Sequence, residues 1–151
     1  MIYLDSNALI AGVVNVPQRT APLQRFFRQA RGPIWASPLC DYEARKGLWQ
    51  LPEVDWRTEL NTLLQGRVTL VEGGWDMAIS QALELARQFK ARLAVDSADT
   101  LHVGWALAMN AKVFASFDRS RGPRALALCL GLKVWPDPQP ADYEAMRRLK
   151  A

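Results

Sequence analysis

Short apolar runs alternate with longer amphipathic stretches along this chain. The apolar runs predict buried strands at residues 2–4, 34–36, 68–71, 113–117 and 133–135. Apolar residues at helical spacing predict helices at residues 8–14, 20–30, 38–51, 53–65, 75–90, 96–110, 124–130 and 142–149. Strands separated by helices favour a parallel sheet with helices on its faces, and such sheets bind ligands beyond the carboxyl ends of their strands.

Length and composition favour one ordinary globular domain. The chain has 151 residues, of which 50% are hydrophobic and 23% are charged, so disordered, collagen-like and disulfide-rich classes are excluded. No apolar stretch is long enough for a membrane span, and no basic segment precedes an apolar run as in a secretory signal. We therefore expect a cytoplasmic protein in which Cys40 and Cys129 are buried thiols, with one disulfide as the alternative.

The charge balance is mildly basic. Lys and Arg total 19 against 15 for Asp and Glu, which gives a formal net charge of +4. Most of these basic residues are arginine, whose guanidinium group binds a phosphate through two hydrogen bonds. This composition is compatible with a nucleic-acid partner, and equally with an ordinary solvated surface.

Four carboxylates occupy informative positions in the predicted elements. Asp5 ends the first strand and Asp118 follows the fourth, so both belong to the same edge of the sheet. Glu43 lies in a half-apolar helix, and Asp99 lies in the first turn of a helix that is apolar almost all round. Each has an ordinary alternative role as a cap, turn or solvated residue. Together they would repel one another unless protonated or bound to cations such as Mg²⁺, and paired Mg²⁺ ions suit phosphodiester hydrolysis.

Two further residues flank Asp99. Asp96 lies three positions earlier, where it can share a helix face with Asp99 or cap the helix, and we favour the cap. His102 is the only histidine, and we expect a hydrogen-bonded core residue rather than a base or ligand. The chain has no P-loop, no Gly-x-Gly-x-x-Gly motif and no Gly-x-Ser-x-Gly elbow, which removes the enzyme classes built on them.

The ordered set of motifs resembles the PIN-domain ribonucleases, and in particular the VapC-type toxins of toxin–antitoxin pairs. The resemblance rests on residues 1–10, 42–47, 99–107 and 113–119, the last leading into residues 130–134. It implies a PIN-like three-layer α/β fold, in which a central parallel sheet is flanked by helices. Residues 1–135 would form the nuclease domain, with residues 136–151 as a C-terminal tail of the same domain.

The resemblance also implies an activity and a site. The expected protein is a Mg²⁺- or Mn²⁺-dependent endoribonuclease that hydrolyses RNA phosphodiesters with a metal-activated water. Its catalytic and metal-binding carboxylates would be Asp5, Glu43, Asp99 and Asp118. The residues that would orient these carboxylates or their waters are Ser6, Asn7 and Ser116, with Asp96 added as an acid next to the set. The implied partners are the RNA substrate, a small antitoxin that covers the site, and a second copy of the chain.

Several assignments stay open at this level. Near the expected site, five basic residues are either contacts to RNA phosphates or parts of solvated helix faces: Arg45, Lys46, Arg119, Arg121 and Arg124. Trp49 and Trp56 flank Pro52 and are candidates for a partner surface. The rival functions are a housekeeping RNA-processing nuclease with the same catalytic residues, an enzyme that acts on DNA, and a catalytically silent RNA-binding scaffold.

Overall fold

Five short parallel strands form a single central sheet. The computed structural model describes residues 1–89, 95–118 and 122–151. The strands are β1 (Ile2–Leu4), β2 (Ile34–Ala36), β3 (Val68–Leu70), β4 (Val113–Ala115) and β5 (Lys133–Trp135), in the spatial order β3-β2-β1-β4-β5. Every described strand pair is parallel. The predicted parallel sheet is therefore confirmed, at nearly the predicted positions.

Eight α-helices surround this sheet in the described parts of the chain. They are α1 (Ser6–Val13), α2 (Thr20–Gln29), α3 (Pro38–Leu48), α4 (Arg57–Gln65), α5 (Trp75–Phe89), α6 (Ser97–Ala108), α7 (Pro123–Cys129) and α8 (Pro140–Lys150). A 3-10 helix, Glu53–Asp55, precedes α4. No helix among the described residues is long and apolar enough to cross a membrane.

The two faces of the sheet carry separate hydrophobic cores. Because side chains alternate along a strand, Ile2 and Leu4 of β1 point into one core and Tyr3 points into the other. The first core holds residues of α1–α4, and the second holds residues of α5–α8. The protein is therefore a three-layer α/β fold, as the sequence predicts, with each half of the chain covering one face.

Strand order places a crevice between β1 and β4. The chain moves outward from β1 through β2 to β3, then returns and continues on the other side through β4 to β5. In open α/β sheets, ligands bind outside the carboxyl ends of the strands at the point where the order reverses. Asp5 follows β1 and Asp118 lies three residues beyond the end of β4, so both face this reversal point.

Helix α6 packs closely against α5. Gly104 in α6 lies so near α5 that a Cβ atom there would be 2.6 Å from the carbonyl oxygen of Ala78. Only glycine allows the two helix backbones to approach this closely. The helix that carries Asp99 is thereby held at a fixed depth against α5.

Two of the predicted boundaries differ in the structure for physical reasons. The predicted helix 53–65 is interrupted at Trp56, whose side chain is 1% exposed and whose indole N–H donates to the carbonyl oxygen of Leu51. Trp56 is therefore a core residue, and its proposed place on a partner surface is wrong, whereas Trp49 is exposed. Strand β4 ends at Ala115 rather than Phe117, since the chain leaves the sheet there.

The C-terminal segment forms a helix that packs on α7. Leu149 is buried against the second core, and the Asp142 carboxylate binds Arg124 at 3.0 Å. Both cysteines are free thiols, and Cys40 is buried as expected, whereas Cys129 is partly exposed, so the prediction that it is buried is wrong.

Candidate active site

The loop after β1 places Asp5 at the centre of the crevice. Asp5 is the N-cap of α1, where its Oδ1 accepts a hydrogen bond from the Ser6 backbone N–H at 2.7 Å. Its Oδ2 accepts a hydrogen bond from the Ser116 hydroxyl at 2.7 Å, and only 3% of the residue is exposed. The carboxylate is therefore fixed from two sides, by the start of α1 and by the loop after β4.

Ser116 connects the loops after β1 and β4. Its Oγ accepts hydrogen bonds from the Asp118 backbone N–H at 3.1 Å and from the Asn7 side-chain amide at 3.4 Å. Asn7 Oδ1 in turn accepts from the Phe117 N–H at 2.9 Å. Ser116 and Asn7 thus hold both loops in one arrangement.

The position of Asp118 also depends on a glycine. A Cβ atom at Gly122 would lie 2.5 Å from Asp118 Oδ2, so any side chain there would push the carboxylate aside. The absence of a side chain at Gly122 therefore leaves the space that the Asp118 carboxylate occupies.

Glu43 reaches the crevice from α3 and meets His102 of α6. His102 Nε2 hydrogen-bonds Glu43 Oε1 and lies 3.4 Å from Asp5 Oδ1. On the other side of the ring, His102 Nδ1 hydrogen-bonds the Tyr3 hydroxyl at 2.6 Å, and that hydroxyl contacts Ser37 Oγ at 2.8 Å. The buried chain of polar groups fixes the imidazole, which in turn fixes the Glu43 carboxylate.

Opposite charges alter the proton affinities of this pair. Burial alone would raise the pKa of Glu43, but the hydrogen bond and charge of His102, with help from Ser6 and Lys46, hold that pKa below its usual value. Burial alone would lower the pKa of His102, but the charge of Asp5 and the hydrogen bond and charge of Glu43 raise it. Both effects favour a carboxylate beside an imidazolium.

The pKa of Asp99 is raised, whereas that of Glu43 is lowered. The Asp99 pKa is raised from 3.8 to about 7, first by burial and then by the negative charges of Asp96, Asp5 and Asp118. Asp96 is the N-cap of α6, because its carboxylate accepts the Asp99 N–H at 2.8 Å, in agreement with the favoured interpretation of this pair. The raised pKa means that burial and nearby negative charge together make the Asp99 carboxylate costly to ionise.

The donor set fits a hard divalent cation. Ligand atoms of Asp5, Glu43 and His102 lie within 4.8 Å of one another. The acids that raise the pKa of Asp99 include Asp5 and Asp118, so a positive charge among them would relieve their repulsion. Oxygen-rich sites of this kind suit Mg²⁺ or Mn²⁺, and an imidazole ligand suits transition metals better than Mg²⁺.

His102 is the site residue whose position the sequence does not reveal. It is a buried, hydrogen-bonded histidine, as expected, but its partners are Glu43 and Asp5 rather than core polar groups alone. Its spacing of one helical turn from Asp99 was the available signal, because both residues then face the same side of α6.

The basic residues expected to contact RNA are placed in different ways. Arg45 binds Asp41 at 3.0 Å, and Lys46 is exposed on α3. Arg119 and Arg121 lie outside the described residues. Arg124 is 1% exposed and binds Asp142, so the idea that it contacts RNA phosphates is wrong.

A family model identifies the class of protein. The model of the PIN domain matches residues 2–121, which is most of the chain. The chain belongs to the PIN-domain family. Members of this family are generally nucleases, and in this PIN domain the loops after β1 and β4 and the helices α3 and α6 bring the expected acidic residues to one crevice.

Solved structures share the fold of this PIN domain at low sequence identity. The VapC20 toxin of Mycobacterium tuberculosis, described as cleaving the sarcin-ricin loop, is 15% identical with a TM-score of 0.58 over 78% of this chain and 90% of that one. VapBC2 of Rickettsia felis, bound to a promoter DNA fragment, is 19% identical with a TM-score of 0.61 over 78% and 89%. FitAcB of Neisseria gonorrhoeae is 18% identical with a TM-score of 0.55 over 78% and 88%. No curated protein matches the sequence.

We expect the metal-free PIN domain to lose thermal stability as the pH rises from about 5 to about 8. With a pKa of about 7, folded Asp99 keeps a proton that the unfolded chain releases near pH 3.8, so unfolding releases protons and higher pH favours it. The raised pKa of His102 acts in the same direction above its ordinary 6.5.

Melting curves across this pH range, recorded with EDTA and with Mn²⁺, measure the effect. Mn²⁺ should raise the melting temperature more at the alkaline end, because the cation competes with protons for the carboxylates. The Asp99→Asn variant should show a flatter pH dependence than the wild-type protein. A wild-type stability that increases over the same range would contradict the protonated state of Asp99.

Proposed function

We propose that this protein is a divalent-metal-dependent endoribonuclease, and that it serves as the toxin of a toxin–antitoxin pair. The observation that carries the proposal is the acidic crevice between β1 and β4. There, burial and the charges of Asp96, Asp5 and Asp118 raise the pKa of Asp99, and Glu43 joins Asp5. Mg²⁺ or Mn²⁺ would be held by these four carboxylates. A PIN fold supports nuclease chemistry at this crevice.

Each proposed residue has a distinct task in this scheme. A divalent cation held there would supply positive charge at the scissile phosphate and the activation of water. Asp5, Asp99 and Asp118 would provide the negative oxygen ligands, and Glu43 would complete the set or accept a proton from the attacking water. His102 would orient Glu43 through its Nε2. The orienting contacts among Ser6, Asn7 and Ser116 would keep the ligands in place, with Asp96 fixing the start of α6.

The toxin role is supported by the solved structures that share the fold. One of them is described as a toxin that cleaves the sarcin-ricin loop, and another is a VapBC pair. We propose a small antitoxin that covers the crevice, and a second copy of the chain as a further partner. The free thiols support action in the reducing cytoplasm.

Cleavage of a mixed RNA substrate by the purified protein tests the activity. We expect cleavage with Mg²⁺ or Mn²⁺ and none with EDTA, with full recovery when Mn²⁺ is added back in excess. A matched DNA substrate run in parallel distinguishes an enzyme that acts on DNA. Well-folded, antitoxin-free protein that binds RNA without cutting it under any metal condition would contradict the proposal and favour a silent RNA-binding domain.

A further inference from the structure

One segment of the chain concentrates the positive charge. Residues 6–40 contain four arginines and no aspartate or glutamate: Arg19, Arg25, Arg28 and Arg31. Their formal charge equals the +4 of the entire chain, so the remaining residues are neutral in sum. An electrostatic bias of this kind points to a surface for an anionic partner.

These arginines lie along the exposed side of α2 and at its two ends. Leu23 and Phe27 of α2 are buried, whereas Arg25 and Arg28 are on the opposite, exposed side. Arg19 is the N-cap residue, and Arg31 follows the helix within two residues. We call these four residues the arginine face.

The arginine face is not neutralised by neighbouring acids. Within the described chain, no carboxylate forms an ion pair with any of its four members. Other exposed arginines contrast with it, since Arg57, Arg87 and Arg148 each bind a glutamate three or four residues earlier in the chain. The charges of the arginine face are thus available to a partner.

The arginine face reaches the loop that carries Asp118. The Arg19 guanidinium lies over the Phe117 ring, 5.4 Å from its centroid, and Phe117 immediately precedes Asp118. Further along α2, the Phe26 ring stacks on the Trp135 ring, with 4.3 Å between the ring centroids. The Trp135 ring also packs edge-on against the Phe117 ring, with 5.2 Å between the centroids. Helix α2 is therefore fixed to the edge of the sheet that holds the acidic crevice.

We propose that the arginine face binds the phosphate backbone of the RNA substrate and guides the strand to the acidic crevice. This inference rests on the proposed nuclease function. A crevice of carboxylates repels a polyanion, so an adjacent surface of opposite charge is needed to hold RNA beside it. Guanidinium groups suit phosphates because they donate two parallel hydrogen bonds.

The composition of α2 favours RNA over an acidic protein partner. Its exposed positions are Ala21, Gln24, Arg25, Arg28 and Gln29, and none of these is a large apolar residue. Protein interfaces use arginine together with aromatic or other apolar residues that form a buried centre, whereas phosphate contacts require only donors and positive charge. The exposed side of α2 has the arginines but no apolar residues for such a centre.

RNA binding by three proteins tests the inference. They are the wild type, the face variant R25Q/R28Q/R31Q and the control variant R57Q/R87Q/R148Q. The control variant also removes three positive charges, but it removes them from α4, α5 and α8. Binding of a fluorescent single-stranded RNA is measured by anisotropy in EDTA over a series of salt concentrations. The face variant should bind about tenfold more weakly, and its slope of log K against log salt should be shallower by about 2. The control variant should keep the wild-type slope.

Other outcomes would overturn the inference. Equal weakening by the two variants would mean that only net charge matters, and unchanged binding by the face variant would place RNA elsewhere. Polyglutamate that displaces RNA from the wild type at equal charge concentration, and loses affinity in the face variant, would assign the face to an acidic polypeptide.

Cleavage assays with Mn²⁺ separate this inference from the proposed function. The face variant should raise KM more than it lowers kcat, because its arginines contact the strand outside the crevice. A wild type that cuts RNA while the face variant cuts with the same KM would refute the arginine face alone. A wild type that binds RNA through the face but never cuts it would refute the nuclease alone.

Discussion

Replacing Asp99 with asparagine is expected to lower RNA cleavage by about 1000-fold or more, equivalent to about 4 kcal/mol of transition-state stabilisation. Asparagine has the same shape but cannot supply the negative oxygen that a divalent cation requires. The same change should stabilise the metal-free protein above about pH 7, because it removes a carboxylate that burial and three neighbouring acids make costly to ionise. Activity and stability should therefore change in opposite directions.

Single-turnover cleavage rates and melting temperatures of the same preparations measure both effects. Asp76→Asn is the matched control, since Asp76 is an exposed acid in the first turn of α5, as Asp99 is in the first turn of α6. The control should retain wild-type activity. If Asp99→Asn cut RNA at the wild-type rate, Asp99 would have no part in holding the cation.

Replacing Arg124 with methionine is expected to lower the free energy of unfolding by about 3–5 kcal/mol. The change leaves the Asp142 carboxylate buried without its cationic partner, at only 2% exposure. It also removes the donors to the carbonyl oxygens of Ser116 at 2.7 Å and Pro136 at 2.7 Å. Because Ser116 also holds Asp5, the affinity for Mn²⁺ should fall as well, by about 10–100-fold.

Urea unfolding and Mn²⁺ titration of the folded variant measure these effects separately. Arg148→Met breaks an exposed pair with Glu144 and should cost less than about 1 kcal/mol. The double variant R124M/D142N should recover part of the lost stability, since it removes the unpaired buried charge. Equal costs for Arg124→Met and Arg148→Met would show that the buried pair contributes nothing beyond a surface pair.

Local sequence signals were sufficient for the sheet and for the expected carboxylate positions. The strands could be found because β1 and β4 are buried on both faces and therefore appear as short continuous apolar runs. The ends of these runs give the positions of Asp5 and Asp118, and the rule for parallel sheets places both at one edge. Their roles in catalysis stay predictions that the Asp99 experiment begins to test.

Local sequence patterns do not predict contacts between residues that are far apart in the chain. Tyr3 and His102 are 99 residues apart, and nothing in either neighbourhood indicates that their side chains meet. The same is true of Trp56, which has the composition of a surface turn around it yet fills the first core. Such pairings depend on how helices cross the sheet, and this is determined by packing rather than by local pattern.

The division of the chain into two halves has a consequence during biosynthesis. Asp5 and Glu43 belong to the half that covers one face of the sheet, whereas Asp99 and Asp118 belong to the half that covers the other. A ribosome therefore exposes the first pair long before it has made the second, and β1 has no neighbour on one side until β4 emerges. The acidic crevice therefore cannot assemble during synthesis until the chain has been made through Asp118.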